Sequence, residues 1–169
     1  MIKLSILPQF DGDSLSQHSF GEALHAAGRL LAASDTKWPD FLIPVGQEQL
    51  VDDLLRVCLH LRRVSEASSK KISRKIENMP LGIQRDFSKF ESDLWTAINR
   101  IVHHHRLKPV IFTQHDFYRS GNLPLAGHLI ADVEVESDRG SSMINIAGFT
   151  IACVNELGEQ SVSPTRIFH

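Results

Sequence analysis

Apolar residues recur at helical intervals through the first two thirds of the chain and at alternate positions beyond Val110. Residues 14–33 place their apolar side chains on one side of a helix, so a helix is predicted there. Before it, the alternation in 1–7 predicts a short strand. After it, prolines and a glycine within 35–46 predict a loop. The pattern separates a helical body from a later part with strand periodicity.

Two long helices follow the loop. The first is predicted from about Gln47 toward Lys75, with apolar residues over more than half of its surface. The second is predicted over 83–106, where six apolar residues and then His105 are spaced 4, 3, 4, 4, 3 and 4 positions apart, starting at Ile83. A stretch rich in helix-breaking residues separates them, so we expect an antiparallel helix hairpin over 47–108.

The C-terminal part has a period of two. Residues 129–136 predict a half-buried strand, and 137–142 predict a hairpin loop. The apolar positions then change parity at Ala147–Gly148, which predicts a β-bulge in a returning strand. We expect an α+β fold, with a helical body and a long antiparallel helix hairpin followed by a C-terminal antiparallel β-hairpin or small sheet. The predicted organisation is a single domain, 1–169, with a β-rich part over 110–157 and a tail over 158–169.

The composition is that of one globular domain. The 169 residues are 42% hydrophobic and 22% charged, close to the average of folded proteins. No apolar run reaches the roughly 18 residues that a membrane-spanning helix needs, and the N-terminus lacks a secretory signal pattern. Cys58 and Cys153 are far apart and both fall on apolar faces, so we expect them in the core. These features predict a cytoplasmic protein without a membrane partner.

The formal charge of −2 conceals an uneven distribution. Between Leu54 and Val110 there are 12 cations and five anions, a charge of +7, whereas the rest of the chain carries −9. One explanation of this positive stretch is a solvated helix end, where Lys and Arg are favoured. The other is a surface that contacts phosphates. The candidate nucleic-acid-binding residues are Arg62, Arg63, Lys70, Lys71, Arg74, Lys75 and Arg106.

The sequence lacks the motifs of ATP, dinucleotide and zincin chemistry, and it predicts no cofactor and no metal site. Its densest group of reactive side chains lies at the end of the second predicted helix. An imidazole with a pKa of about 6.5 can serve as acid or base, and Arg can stabilise charge on a phosphoryl group. This group would suit metal-independent RNA cleavage, but helix C-termini also favour His and Arg for structural reasons. The candidate catalytic residues are Asn99, Arg100, His103, His104 and His105.

The segment DLWTAINRIVHHHRL, at the end of a hydrophobic helix hairpin, resembles the HEPN superfamily of small helical nucleic-acid-processing domains. The family motif is an Arg, four to six residues and a His, which Arg100 and His105 match with four residues between them. Ile101 stands where the family often has a polar residue. A second alignment places Asn99 and His103 on the motif's Asn and His, leaves no Arg at its position, and implies an inactive site.

The resemblance covers about 47–108 and does not extend to the C-terminal hairpin. It implies a homodimer with the motif at the dimer interface and RNA as the substrate. It also implies a role in toxin–antitoxin or phage-defence systems.

Two further groups of polar residues are weaker candidates. His115 and Asp116 could join a metal site, although a turn explains them more simply. The acidic strip Asp132, Glu134 and Glu136, together with Asp138, is predicted to be a solvated sheet face rather than a carboxylate pair or metal site.

A non-enzymatic interaction module is the alternative function. An immunity protein, an antitoxin or a defence-complex subunit would use the same helices as a partner or dimer face, with charge setting orientation. DNA binding through a helix-turn-helix is disfavoured, because the two predicted helices are too long for that unit.

Overall fold

The computed structural model describes the backbone of residues 14–120 and 123–161 and the side chains of 15–113 and 127–160. The strand predicted over 1–7 lies outside these residues. The described elements are α1 (Ser14–Ser34), α2 (Ile43–Ser68), α3 (Leu94–Val102), β1 (His104–Ser120), β2 (Leu123–Ser137), β3 (Gly140–Asn145) and α4 (Ile146–Ser161), with 3-10 turns at Asp40–Leu42 and Phe87–Lys89.

The predicted α+β class is confirmed. Three helices precede a three-stranded antiparallel sheet with the strand order β1-β2-β3, and α4 follows the sheet. The boundaries of the predicted β-rich part, 110–157, are wrong at both ends. The strands begin at His104 and end at Asn145, because the chain beyond Asn145 is helical.

The first two helices form close to where the sequence predicts them. α1 matches the prediction over 14–33. α2 begins inside the predicted loop, because Pro44 lies in its first turn, where a missing N–H removes no helical hydrogen bond. It ends at Ser68 rather than near Lys75. Ser69 adopts a left-handed conformation with φ of 55°, and its N–H donates to the carbonyl of Glu66.

Most of the predicted second long helix is absent. Of residues 83–106, only Leu94–Val102 are α-helical. Before Leu94, hydrogen bonds from side chains to the nearby backbone replace helical ones. The Asp86 carboxylate, for example, accepts from the N–H of Ser88 at 2.9 Å. The segment also reaches the sheet, where the N–H of Glu91 donates to the carbonyl of Met143 at 2.8 Å. The long antiparallel hairpin predicted for 47–108 therefore does not form.

The hairpin predicted around 137–142 is present. Ser137 pairs with Gly140, which leaves Asp138 and Arg139 as the two turn residues. Gly140 has φ of +91°, a conformation that glycine adopts without steric cost. The inward positions of β2 are buried as predicted.

The predicted returning strand changes into a helix after Asn145. The side-chain oxygen of Asn145 accepts from the N–H of Gly148 at 2.9 Å and so caps α4. There is no β-bulge at Ala147–Gly148, and the predicted tail over 158–169 is helical to Ser161, beyond which the chain is not described. Three of the apolar residues that suggested a strand, Ile146, Phe149 and Cys153, are fully buried in α4. With Leu157, which is also fully buried, they are spaced 3, 4 and 4 positions apart, as one face of a helix requires.

The core lies between the sheet and the helices. α1 packs against α2 and α4, and α3 contacts α2 and β2. Ile98 and Ile101 of α3 are fully buried in this core. One side of α3 is thereby anchored, and the opposite side faces solvent with Trp95, which is 41% exposed.

Candidate nucleic-acid interface

The position of α3 is fixed at both ends. At its start, the Asp93 carboxylate accepts from the N–H and hydroxyl of Thr96 at 3.0 and 2.8 Å, and Lys75 Nζ lies 3.0 Å away. Burial acts to raise the pKa of Asp93, but these hydrogen bonds outweigh burial and hold the pKa below its ordinary value. At the end of α3, the N–H of His103 donates to the carbonyl of Asn99 at 3.0 Å. The candidate catalytic residues therefore occupy a fixed junction between α3 and β1.

The end of α3 and the β2–β3 turn enclose a cleft of about 370 Å³, which we call the α3 cleft. His103 and Arg139 are both exposed. Within the described part of the chain, the Arg139 side chain has no ion-pair partner. The structure thus brings three of the five candidate catalytic residues together with a turn that the sequence did not connect to them. The cleft is lined by Asn99, Arg100, His103, Ser137, Asp138 and Arg139.

Arg100 connects three parts of the fold. Its Nε lies 3.3 Å from the carboxylate of Glu91. Its Nη1 donates to the carbonyl of Gly140 at 3.2 Å and lies 3.4 Å from the hydroxyl of Ser137. The side chain is 16% exposed. Arg100 therefore holds the β2–β3 turn against α3 while its guanidinium borders the α3 cleft.

His104 and His105 do not line the α3 cleft. The Nδ1 of His104 donates to the carbonyl of Ile101 at 2.6 Å, so this ring caps the helix end. The Nε2 of His105 lies 2.5 Å from the carboxylate of Asp138, with both side chains exposed. The three adjacent histidines thus point to three different surroundings, because the chain changes from helix to strand between them. His103 lines the α3 cleft, and of the other two histidines only His105 is linked to it, through Asp138.

Several of the predicted phosphate-binding cations are paired with acids from distant parts of the chain. Arg74 forms ion pairs with Glu156 and Glu159 of α4. Arg106 lies 3.9 Å from Glu136, and Lys75 pairs with Asp93, the N-cap of α3. Arg63 and Lys71 are exposed.

A second cleft, of about 480 Å³, opens beside the start of α3, and we call it the Trp95 cleft. The guanidinium of Arg62 lies over the Trp95 ring, 5.8 Å from its centroid. Leu94 N–H donates to the carbonyl of Arg74 at 3.0 Å, which brings the chain after α2 alongside the start of α3. Lys70 Nζ donates to the carbonyl of Glu159 at 3.0 Å. The Trp95 cleft is lined by Ser65, Ser69, Lys70, Lys71, Ile72 and Trp95.

The acidic strip is not a uniform solvated face. Asp132 is fully buried and pairs with Arg85, because the segment between α2 and α3 covers this position of β2. Glu134 and Glu136 are partly exposed, as the prediction for a sheet face requires. Asp138 is exposed at the β2–β3 turn and lines the α3 cleft.

The remaining candidates add no chemistry to the two clefts. Cys58 and Cys153 are free and buried in the core, as predicted. Burial raises the pKa of both thiols. The side chains of His115 and Asp116 lie outside those described. Among the described side chains, no three His, Cys, Asp or Glu residues are grouped in a way that could hold a metal ion.

Sequence reasoning missed Trp95 and Arg139, and it placed Asp138 in the acidic strip without connecting it to the end of α3. Trp95 precedes Asn99 by four positions, and this spacing places both on one face of a helix. The sequence could therefore have shown that Trp95 lies on the same helix face as a candidate catalytic residue. No comparable signal existed for the turn residues, because their approach to α3 depends on tertiary packing.

Within 14–120 and 123–161, no helix has the length and apolar character needed to cross a membrane. The chain was compared with protein-family models, with curated proteins and with solved structures, and none of them matches it.

Proposed function

We propose that this protein binds RNA at the α3 cleft and cleaves it without a metal ion, as a HEPN-like protein of a toxin–antitoxin or phage-defence system. The observation that supports this proposal is the convergence of His103, Arg100 and Arg139 on one open cleft. An imidazole can act as the base in phosphodiester cleavage, and two guanidinium groups can stabilise the charge that develops on the phosphoryl oxygens.

Arg139 and Asn99 would position the phosphate. Arg139 is exposed and can offer two parallel N–H donors to a pair of phosphate oxygens. The Asn99 amide lines the same cleft and supplies a further donor. His104 contributes indirectly, since its ring occupies the Ile101 carbonyl, which would otherwise repel an anion at the helix end.

His103 is the imidazole that faces the α3 cleft. In the proposed reaction it removes the proton of the ribose 2′-hydroxyl, and the 2′-oxygen attacks the adjacent phosphorus. The bond to the 5′-oxygen breaks, that oxygen takes a proton from an acid, and a cyclic phosphate remains. Arg100 and Arg139 would stabilise the charge that develops on the phosphoryl oxygens.

His105 would act as the acid or as a positioning residue. Asp138 holds its Nε2 at 2.5 Å and thereby fixes the ring at the rim of the α3 cleft. A carboxylate that accepts from an imidazole N–H also holds the ring in the Ser-His-Asp triad, although there it is buried and accepts from Nδ1.

The proposal predicts that one substitution weakens RNA binding and that another slows cleavage without weakening binding. Arg139→Ala should weaken binding of a labelled single-stranded RNA about 10-fold, because one charge-assisted contact is lost. It should also lower the slope of log affinity against log salt by about one. His103→Ala should slow cleavage by about 100-fold or more while binding changes little. Binding is measured by fluorescence anisotropy, and cleavage by gel electrophoresis in the presence of a chelator.

Arg56→Ala is the matched control for Arg139→Ala. Arg56 is an exposed arginine of α2 paired with Asp52 in the same helix, and it lines neither cleft. It should leave binding and cleavage unchanged. Wild-type protein that neither binds nor cleaves RNA would overturn the proposal. Cleavage that survives in both His103→Ala and His105→Ala would overturn the assignment of the site.

A further inference from the structure

The Trp95 cleft combines an exposed aromatic ring with cations. Trp95 remains 41% exposed although its helix is anchored in the core. A large aromatic side chain in this position leaves much of its apolar surface in contact with water. The guanidinium of Arg62 lies over the ring at 5.8 Å from its centroid. This cation–π contact places a positive charge against the electron-rich ring.

The charged side chains that line the Trp95 cleft are of one sign. Lys70 and Lys71 line the cleft, and Lys71 is exposed. Among the described residues that line the cleft there is no carboxylate. The α3 cleft, by contrast, contains Asp138 as well as its arginines. The Trp95 cleft is therefore the more electropositive of the two and suits an anionic partner with flat groups.

The two clefts lie on the same side of α3. Trp95, Asn99 and His103 follow one another at intervals of four residues, so they form a row along one helix face. At a rise of about 1.5 Å per residue, the row is about 12 Å long. A stacked strand advances about 3.4 Å per nucleotide, so roughly four nucleotides would span this distance.

We infer that the Trp95 cleft is a base-stacking subsite that makes single-stranded RNA the substrate class of the α3 cleft. This inference rests on the proposed function and adds to it. An unpaired base stacks on Trp95, Arg62 and Lys71 contact the neighbouring phosphates, and the strand continues along α3 to His103. A duplex RNA cannot bind in this way, because its bases are already stacked and paired and none is free to stack on Trp95.

The experiment compares Trp95→Ala and Trp95→Phe with the wild type on matched oligonucleotides. Trp95→Ala should weaken binding of single-stranded RNA by about 5- to 150-fold, the usual effect of losing one stacked base. Trp95→Phe should keep most of the affinity, since it retains a ring. Binding of the strand should quench tryptophan fluorescence in the wild type, and the quenching should be lost in Trp95→Phe. A duplex RNA of equal length should bind with no difference between wild type and Trp95→Ala.

Phe41→Ala is the matched control, because Phe41 is an aromatic residue with 78% exposure that lines neither cleft. It should leave affinity unchanged. A single-stranded DNA of the same sequence isolates stacking from cleavage: it should show the same loss in Trp95→Ala, but it lacks the 2′-hydroxyl and should stay intact.

The possible failures are distinguishable. RNA binding that is equal in wild type and Trp95→Ala overturns this inference and leaves the proposed function standing. A wild type that binds no RNA overturns the proposed function and this inference with it. Self-association lost in Trp95→Ala but kept in Phe41→Ala would assign the cleft to a second copy of the chain and overturn the RNA subsite.

Discussion

Gly148 shows how the absence of one side chain fixes the position of a segment. It lies in the first turn of α4, directly against the backbone of the segment between α2 and α3. A Cβ at this position would overlap the carbonyl oxygen of Glu77 and lie 3.0 Å from the side-chain oxygen of Asn145. Neither atom can move easily, because one is backbone and the other is the N-cap of α4.

Gly148→Ala should therefore destabilise the protein. We expect a loss of about 1–3 kcal/mol in the free energy of unfolding, the usual cost of overpacking. Gly158→Ala is the control in the same helix, since no atom beyond the adjacent backbone of α4 lies within 4 Å of its added Cβ. It should raise stability by up to about 1 kcal/mol through helix propensity. Urea unfolding measures both, and a Gly148→Ala variant as stable as Gly158→Ala would contradict this packing argument.

His60 is a second residue whose surroundings determine its behaviour. Its Nδ1 is buried and has no hydrogen-bond partner among the described residues. Burial lowers the pKa of His60 from 6.5, and Arg63, His18 and Arg56 lower it further, while Glu22 opposes them. The folded protein therefore favours the neutral ring, and the unfolded chain binds more protons as the pH falls below about 6.5.

His60→Gln should make stability less dependent on pH. The contribution of His60 is fully present above its unfolded pKa and is lost as the pH falls toward its lower folded pKa. The wild type should therefore lose more stability than the variant between pH 7.5 and pH 5.5, as measured by urea unfolding at each pH. The reference is the difference in free energy of unfolding between wild type and variant at pH 7.5, where the His60 ring is neutral in the folded and the unfolded protein. Identical pH dependence in the two proteins would refute this role of His60.

At the scale of elements, the segment between α2 and α3 is held by a buried ion pair. Arg85 and Asp132 are 7% and 0% exposed, and the guanidinium also donates to the carbonyl of Ile83 at 2.9 Å. Asn145 donates to the same Asp132 carboxylate at 2.9 Å and to the carbonyl of Met79 at 3.1 Å. These contacts replace the helix that the apolar spacing of 83–93 predicts. A buried charge has to be paired, and this requirement outweighs local helix propensity.

Asp132→Asn should cost about 3–5 kcal/mol, because it leaves the Arg85 cation buried without a counter-charge. Asp52→Asn, which breaks the exposed pair with Arg56 in α2, should cost no more than about 0.5 kcal/mol. Thermal unfolding compares the two variants. Protease sensitivity confined to the segment between α2 and α3 would locate the damage. If both substitutions cost the same, the pair does not hold this segment in place.

The sequence predicts the helix at α3 but not the helix at α4. Leu94–Val102 is helical as predicted, because Asp93 caps it and its apolar residues face the core. The helix Ile146–Ser161 was missed, although Asn145 is a recognisable N-cap. Its apolar spacing fits both a helix and a bulged strand, and the choice between them depends on the cap and on the sheet ending at Asn145.

At the scale of the whole molecule, folding neutralises part of the uneven charge along the chain. The +7 of residues 54–110 meets acids from the flanking regions, as in the ion pairs of Arg74 with α4 and of Arg85 with β2. Of the cations that line the two clefts, Lys71 and Arg139 are exposed and have no carboxylate partner among the described residues. Arg62 lies over the Trp95 ring beside them. The positive surface of this protein is therefore defined by which cations lack a partner in the fold.

The sequence by itself determined the α+β class, α1, most of α2, the helix at 94–102, the β2–β3 hairpin and the buried cysteines. Each of these follows from apolar spacing, caps and turn residues that act within a few positions. Only the tertiary structure decided the segment between α2 and α3, the helix after Asn145, and which candidate residues share a cleft. Those outcomes depend on contacts between residues far apart in the chain, such as Arg85 with Asp132 and Arg100 with Gly140. A buried charge requires a counter-charge, and the position of that counter-charge in the chain cannot be predicted from the residues next to it.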